Sequence, residues 1–173
     1  MNLRIISTIA LTLLIMGCNT IKSTIDKSVT TKTYTFELLA VDEARAMNVE
    51  AMSQKDAEAV GDIILVDRYN EKQKYLLKSK TIIDSSMVAN AEVGIDKYRH
   101  GNLINLQFTK EGAEIFSNFT EKNMRKRVAI VLNSKVYSAP IIVEKISGGK
   151  LQITGDFSTE EAFAIVNSMK SKK

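Results

Sequence analysis

Apolar positions in this chain recur with a period of two in several short stretches and with a helical period in two longer ones. Tyr34, Phe36, Leu38 and Ala40 alternate with Thr35, Glu37 and Leu39, which predicts a half-buried strand. Residues 42–59 are rich in Ala, Met and Glu and read as helical, although no clear apolar stripe runs through them. Ile63-Ile64-Leu65-Val66 and Tyr75-Leu76-Leu77 are short apolar strand candidates, whereas 86–95 has no dominant period.

The second half is patterned more sharply. Ile104, Leu106 and Phe108 alternate with Asn105 and Gln107, predicting a strand with one apolar face. Thr109 is placed to cap a helix that carries Ala113, Phe116 and Phe119 on one stripe. Val128-Ala129-Ile130-Val131-Leu132 is apolar throughout, as a strand covered on both faces must be. Asn133-Ser134 suits a two-residue hairpin turn into Lys135-Val136-Tyr137. Pro140 should interrupt or edge a strand continuing through Ile141, Ile142 and Val143. Gly148-Gly149 turns into Leu151-Gln152-Ile153, and Ser158 with Glu161 forms a capping box for a last helix that buries Ala162, Ile165, Val166 and Met169. The order strand, helix, three strands, helix implies an α+β fold: a mostly antiparallel sheet with helices packed on one face, as in a split βαβ sandwich.

The N-terminus changes the picture. Arg4 begins a positive region, 5–16 form an apolar run of about a dozen residues, and Leu14-Ile15-Met16-Gly17-Cys18 closes it. Such a run is shorter than the ~20 residues that span a bilayer. It resembles a bacterial lipobox, in which the Cys receives diacylglycerol before cleavage. Cys18 is the only Cys in the chain and stands where cleavage is expected. An acylated Cys is chemically quiet in an oxidising compartment, where a free thiol is not. The expected organisation is a signal peptide at 1–17, a polar tether at 18–33 and one domain at 34–173. Cys18 would hold that domain on a membrane through lipid, facing the periplasm or the cell exterior.

Composition excludes little else. The chain has 173 residues, 45% of them hydrophobic, a formal net charge of +4 and a mean hydropathy near zero. Positive charge gathers at Lys122, Arg125, Lys126 and Arg127 and at Lys170, Lys172 and Lys173. With acids such as Glu121 and Glu144 interspersed, this reads as solvated surface; contact with anionic lipid or nucleic acid is the alternative use. Aromatics are scarce and Trp is absent, which argues against a stacking platform for nucleic acid. The single histidine, His100, lies in a polar loop without motif partners, and neither a zinc set nor a phosphate-cradling loop is present. No catalytic residue, cofactor, metal or small-molecule substrate is expected, and the chain reads as a non-enzyme.

A longer pattern covers 103–169. It comprises Phe108-Thr109-Lys110-Glu111-Gly112-Ala113, Phe116 and Thr120, and then an unbroken run from Val128 through Leu132 and Asn133 to Ser138-Ala139-Pro140. Ile146, Gly148-Gly149, Ile153-Thr154-Gly155-Asp156-Phe157-Ser158 and Glu160-Glu161-Ala162 complete it. This resembles the head of the first periplasmic domain of the SecD translocase subunits, with Leu76-Leu77-Lys78 and Met87-Val88 extending the match upstream. Where that family usually has Asp-Gly, this chain has Asn133-Ser134. The resemblance implies the SecD head fold without the family's base subdomain or transmembrane helices. It also implies transient contact with unfolded exported polypeptides or the translocase. Ile141, Ile142 and Val143 are the candidate partner-binding edge, the alternative being that they complete the core. An envelope structural or protective lipoprotein that reuses the fold for another partner is the second reading.

Overall fold

The computed structural model describes residues 32–97 and 100–170. The predicted signal peptide, Cys18, nearly all of the tether, and Lys172 and Lys173 lie outside the described residues. The elements run β1 (Phe36–Val41), α1 (Gln54–Glu58), β2 (Asp62–Asp67), β3 (Lys74–Asp84), β4 (Val88–Ile95), β5 (Asn102–Phe108), α2 (Lys110–Lys122), β6 (Val128–Leu132), β7 (Lys135–Ser138), β8 (Lys150–Phe157) and α3 (Thr159–Lys170). The expected α+β class holds, and the strands are divided between two sheets. Strands β1-β3-β2-β7-β6 close into a barrel, and β4-β5-β8 form an open three-stranded sheet. Pairing is antiparallel except where β2 meets β7, at Val66–Lys135 and Asp67–Val136.

Strand β6 shows why its sequence is apolar at every position. Val128, Ile130 and Leu132 face a large core shared with the open sheet and the helices. Ala129 and Val131 face into the barrel with Leu39, Val41, Leu77 and Val136. Strand β1 serves both cores as well, through the plain alternation of a strand covered on both faces: Phe36 and Leu38 point one way, Leu39 and Val41 the other. The inner face of the open sheet supplies Ala91, Ile104, Leu106, Phe108 and Ile153 to the large core, and both long helices lie on that side.

The local signals act largely as expected. Asn133 and Ser134 both have positive φ, 48° and 59°, the geometry of a type I′ hairpin turn. Thr109 Oγ1 accepts from Gly112 N at 3.1 Å. A Cβ on Gly112 would stand 3.1 Å from the Met87 carbonyl oxygen and 3.2 Å from Phe108 Cβ, so the first turn of α2 lies tight against the sheet. Gly149, at φ +61°, leaves still less room: a Cβ there would be 2.4 Å from that of Ala113.

Three expectations change. The helix read over 42–59 is a 3-10 turn at Ala46–Asn48 followed by the short α1, capped by Ser53. With no continuous apolar stripe to bury, the segment folds around single anchors, Val49, Met52 and Ala57 on Leu76. The undecided stretch 86–95 is mostly β4. The strand expected to run on to Val143 ends at Ser138, and a single bridge from Ile141 to Arg127 is all that follows. Pro140 has no N–H to continue the ladder with β6.

Candidate functional site

Helix α2 carries more apolar surface than the core covers. Phe116 is 1% exposed and packs edge-on against Phe108 with ring centroids 5.3 Å apart, while Ile115 and Phe119 stay half-buried. These two, spaced i and i+4, form one wall of a groove whose other side is barrel: Ala40 of β1, and Lys78, Lys80, Thr81 and Ile82 of β3, with Met87 at one end. The groove encloses about 670 Å³. A second recess of about 510 Å³ shares Ala40, Lys78 and Phe119 with it and runs on past Asn123 to Lys126 and Arg127. The result is an apolar channel with cations along its rim.

Charge beside the groove is fixed by a buried cluster at the end of the barrel. Asp62, fully buried, and Asp42 share Arg45 and Lys78. Lys78 Nζ lies 2.6 Å from Asp42 Oδ2 and 3.2 Å from Asp62 Oδ1, the latter an ion-pair distance without hydrogen-bond geometry. Burial alone would push the Asp42 carboxyl up, but hydrogen bonds from Lys78 and Arg45 outweigh it and hold the group well below the usual carboxylate range. Lys78 is held charged by the same contact with Asp42. Lys80 is exposed and makes no ion pair among the described residues.

A second charged cluster ties the barrel to α3. Arg68, just past β2, pairs with Glu161 and lies over the rings of Tyr137 at 4.4 Å, Tyr69 at 4.9 Å and Phe157 at 5.4 Å. The hydroxyls of Tyr34 and Tyr137 donate to Glu161 Oε1 at 3.3 and 3.2 Å. Burial, with the negative charge of Glu161, pushes the Tyr137 phenol well above its ordinary value. The expected capping box is therefore half made. Ser158 Oγ accepts from Glu161 N at 3.1 Å, but the Glu161 side chain is turned to Arg68.

The candidate edge divides. Ile142 is 4% exposed and belongs to the large core, whereas Ile141 and Val143 are 59% and 82% exposed. Both backbone groups of Ile142 are occupied: its N–H donates to Lys126 O at 2.9 Å, and its carbonyl accepts from Arg125 N at 2.8 Å. Ile142 thus cannot pair with an incoming strand, because its own chain already uses the hydrogen bonds that pairing needs. His100 sits in the β4–β5 turn at φ +54°, its N–H donating to Asp96 O at 2.8 Å. Sequence reasoning named α2 and Phe119 but missed the groove, whose far wall comes from β3, about forty residues upstream, and from Ala40 of β1, about eighty residues upstream.

Barrel, open sheet and a groove between α2 and the barrel define a two-sheet α+β domain. The family model "SecDF, P1 head subdomain" matches residues 62–172, and the chain belongs to that family. The match begins at β2, upstream of the 103–169 run that carried most of the resemblance and fourteen residues before its extension at Leu76-Leu77-Lys78. SecD of Syntrophobacter fumaroxidans is 40% identical over 95 residues, 55% of this chain and 18% of that protein. SecD of Sebaldella termitidis is 34% identical over 129 residues, 71% of this chain and 31% of that one. A solved structure of SecDF, described as a membrane component that enhances protein export, superposes with a TM-score of 0.59 at 28% identity, covering 82% of this chain and 64% of that one. SecDF in a super-membrane-facing form gives 0.57 at 28% identity, over 79% of this chain and 18% of that one. The chain thus spans between 18% and 31% of the length of these curated relatives.

Proposed function

We propose that this domain is a non-catalytic binding module that makes transient, weakly selective contact with exported polypeptides or the translocation machinery. It works outside the cytoplasmic membrane, where acylated Cys18 anchors it. The observation that carries the reading is the half-buried channel between α2 and β3, in a domain whose relatives are translocase subunits. An extended apolar segment laid there would cover Ile82, Ile115 and Phe119, and its backbone carbonyls would face Lys80 on the rim. Weak selectivity follows from a channel that offers an apolar wall and few fixed polar partners.

Photo-crosslinkers at Ile115 and Phe119, with controls at Asn90 and Gln152 on the outer face of the open sheet, test it in living cells. Capture of varied exported proteins at the groove and not at the controls is expected. Capture of one defined partner would replace this reading with the dedicated envelope role, and equal capture at all four positions would remove the groove as the site. In the same cells, mass spectrometry of the membrane fraction should yield a diacylglyceryl peptide beginning at Cys18; unmodified protein cut elsewhere would refute the anchor.

A further inference from the structure

The segment after β7 wraps the C-terminal end of α2 and is pinned there at several points. Val128 N donates to Pro140 O at 3.1 Å, Ile142 N to Lys126 O at 2.9 Å, and Arg125 N to Ile142 O at 2.8 Å. Further on, Ile146 N donates to the Oγ1 of fully buried Thr120 at 3.0 Å. Ile142 plugs the core, and because side chains alternate along an extended segment, its two neighbours point outward. Val143 is 82% exposed and Ile141 59%; Met124, in the loop paired with this segment, is 53% exposed. Arg125 holds a left-handed backbone, φ +67°, which a non-glycine residue adopts only against steric resistance. Its bond to Ile142 fixes that conformation, so these apolar side chains are presented by braced loops.

Cations surround them. Lys122, Arg125 and Lys126 are exposed and have no carboxylate partner among the described residues. Lys145 and Arg127 are paired, with Glu121 at 3.0 Å and with Glu43 at 2.8 Å; exposed Glu144 is the remaining acid. Met124, Ile141 and Val143 line neither recess of the groove, although Lys126 and Arg127 stand at its far end.

We propose that this tip is a bilayer-docking surface: Met124, Ile141 and Val143 enter the headgroup layer of an anionic membrane while Lys122, Arg125 and Lys126 contact lipid phosphate. Apolar side chains that stand out singly from loops, ringed by long flexible cations without carboxylate partners, Lys126 meeting only Asn123 Oδ1 at 3.3 Å, suit a fluid anionic surface better than a shaped protein pocket. Docking there would bring the cationic end of the groove to the membrane. The inference does not depend on the groove binding polypeptide.

The test uses the chain without residues 1–18, so that neither the apolar N-terminal run nor an acyl group contributes; residues 31–173 form a compact unit of their own. It should co-sediment with vesicles of phosphatidylethanolamine and phosphatidylglycerol and much less with phosphatidylcholine alone. Lys122→Gln and Lys126→Gln should each weaken binding about fivefold. Replacing Met124, Ile141 and Val143 by Ser should abolish it without changing the melting temperature, since all three are exposed. Equal sedimentation with both vesicle types, sedimentation with neither, or insensitivity to the lysine variants would overturn the proposal. So would retention on polyglutamate in place of vesicles, which would make the tip a protein-docking surface.

Discussion

The interior of the barrel and the space between barrel and open sheet are packed with different materials. Inside the barrel lie aliphatic side chains, among them Leu39, Leu77, Ala129, Val131 and Val136, with Tyr75 as the one ring. Outside it, Phe36, Phe108 and Phe116 are linked, the first pair at 6.3 Å and the second at 5.3 Å, and Tyr137 stacks on Phe157 at 5.7 Å. Eight strands enclose just enough room for side chains to fill, and five enclose less, so small branched residues take the inside and rings are left to the outside. The barrel therefore presents an apolar outer wall, Phe36, Leu38, Ile130 and Leu132, that only the open sheet and helices can cover. Two cores share β1 and β6, and the joint between the sheets is as much a core as the interior of either.

The sharpest way to break that arrangement is Phe116→Ala. It removes a fully buried ring from the joint and should cost about 3–5 kcal/mol in chemical denaturation; an unchanged melting temperature with lost binding would mean that Phe116 belongs to a site. Next comes Arg68→Met, which keeps the aliphatic stem among the rings but strands Glu161. A loss of about 2–3 kcal/mol is expected, below the fully buried case because both partners retain some solvent contact. Adding Glu161→Gln should recover part of it, and strictly additive losses would show that the pair does not couple barrel to α3. The smallest effect belongs to the hairpin that joins β6 to β7 within the barrel. Ser134→Gly relieves a left-handed serine, worth about 1 kcal/mol, against roughly half that in unfolded-chain entropy, for a net gain of about 0.5 kcal/mol. Measured destabilisation would place an unrecognised role in the Ser134 hydroxyl.

Legibility followed the range of the interactions. Thr109 and Ser158 cap backbone three residues on, and Asn133 and Ser134 make the turn with their own φ angles, so caps and turn could be read directly; the bonds of the Asn133 side chain to Thr33 and Thr35 could not. The two charged clusters could not. Arg68 meets Glu161 across 93 positions and Lys78 meets Asp42 across 36, and nothing in either neighbourhood marks the partner. Glu161 even looked committed, since a capping box fits it locally; a half-buried guanidinium won because a charged pair among rings outweighs one solvent-exposed cap.

By itself, then, the sequence determined most of the elements from 102 onward, the Ser and Thr caps that open α2 and α3, the two-faced burial of β6 and the SecD head resemblance, because periodicity and local hydrogen bonding are properties of neighbouring residues. Tertiary structure decided the rest. Barrel closure through the short parallel contact of β2 with β7, the groove between α2 and β3, and the division of Ile141, Ile142 and Val143 into one core plug and two exposed side chains depend on which distant strands meet. A run of three apolar residues reads the same in a core, at an edge or at a tip; only the backbone that Arg125 and Lys126 bring to Ile142 assigns each its place.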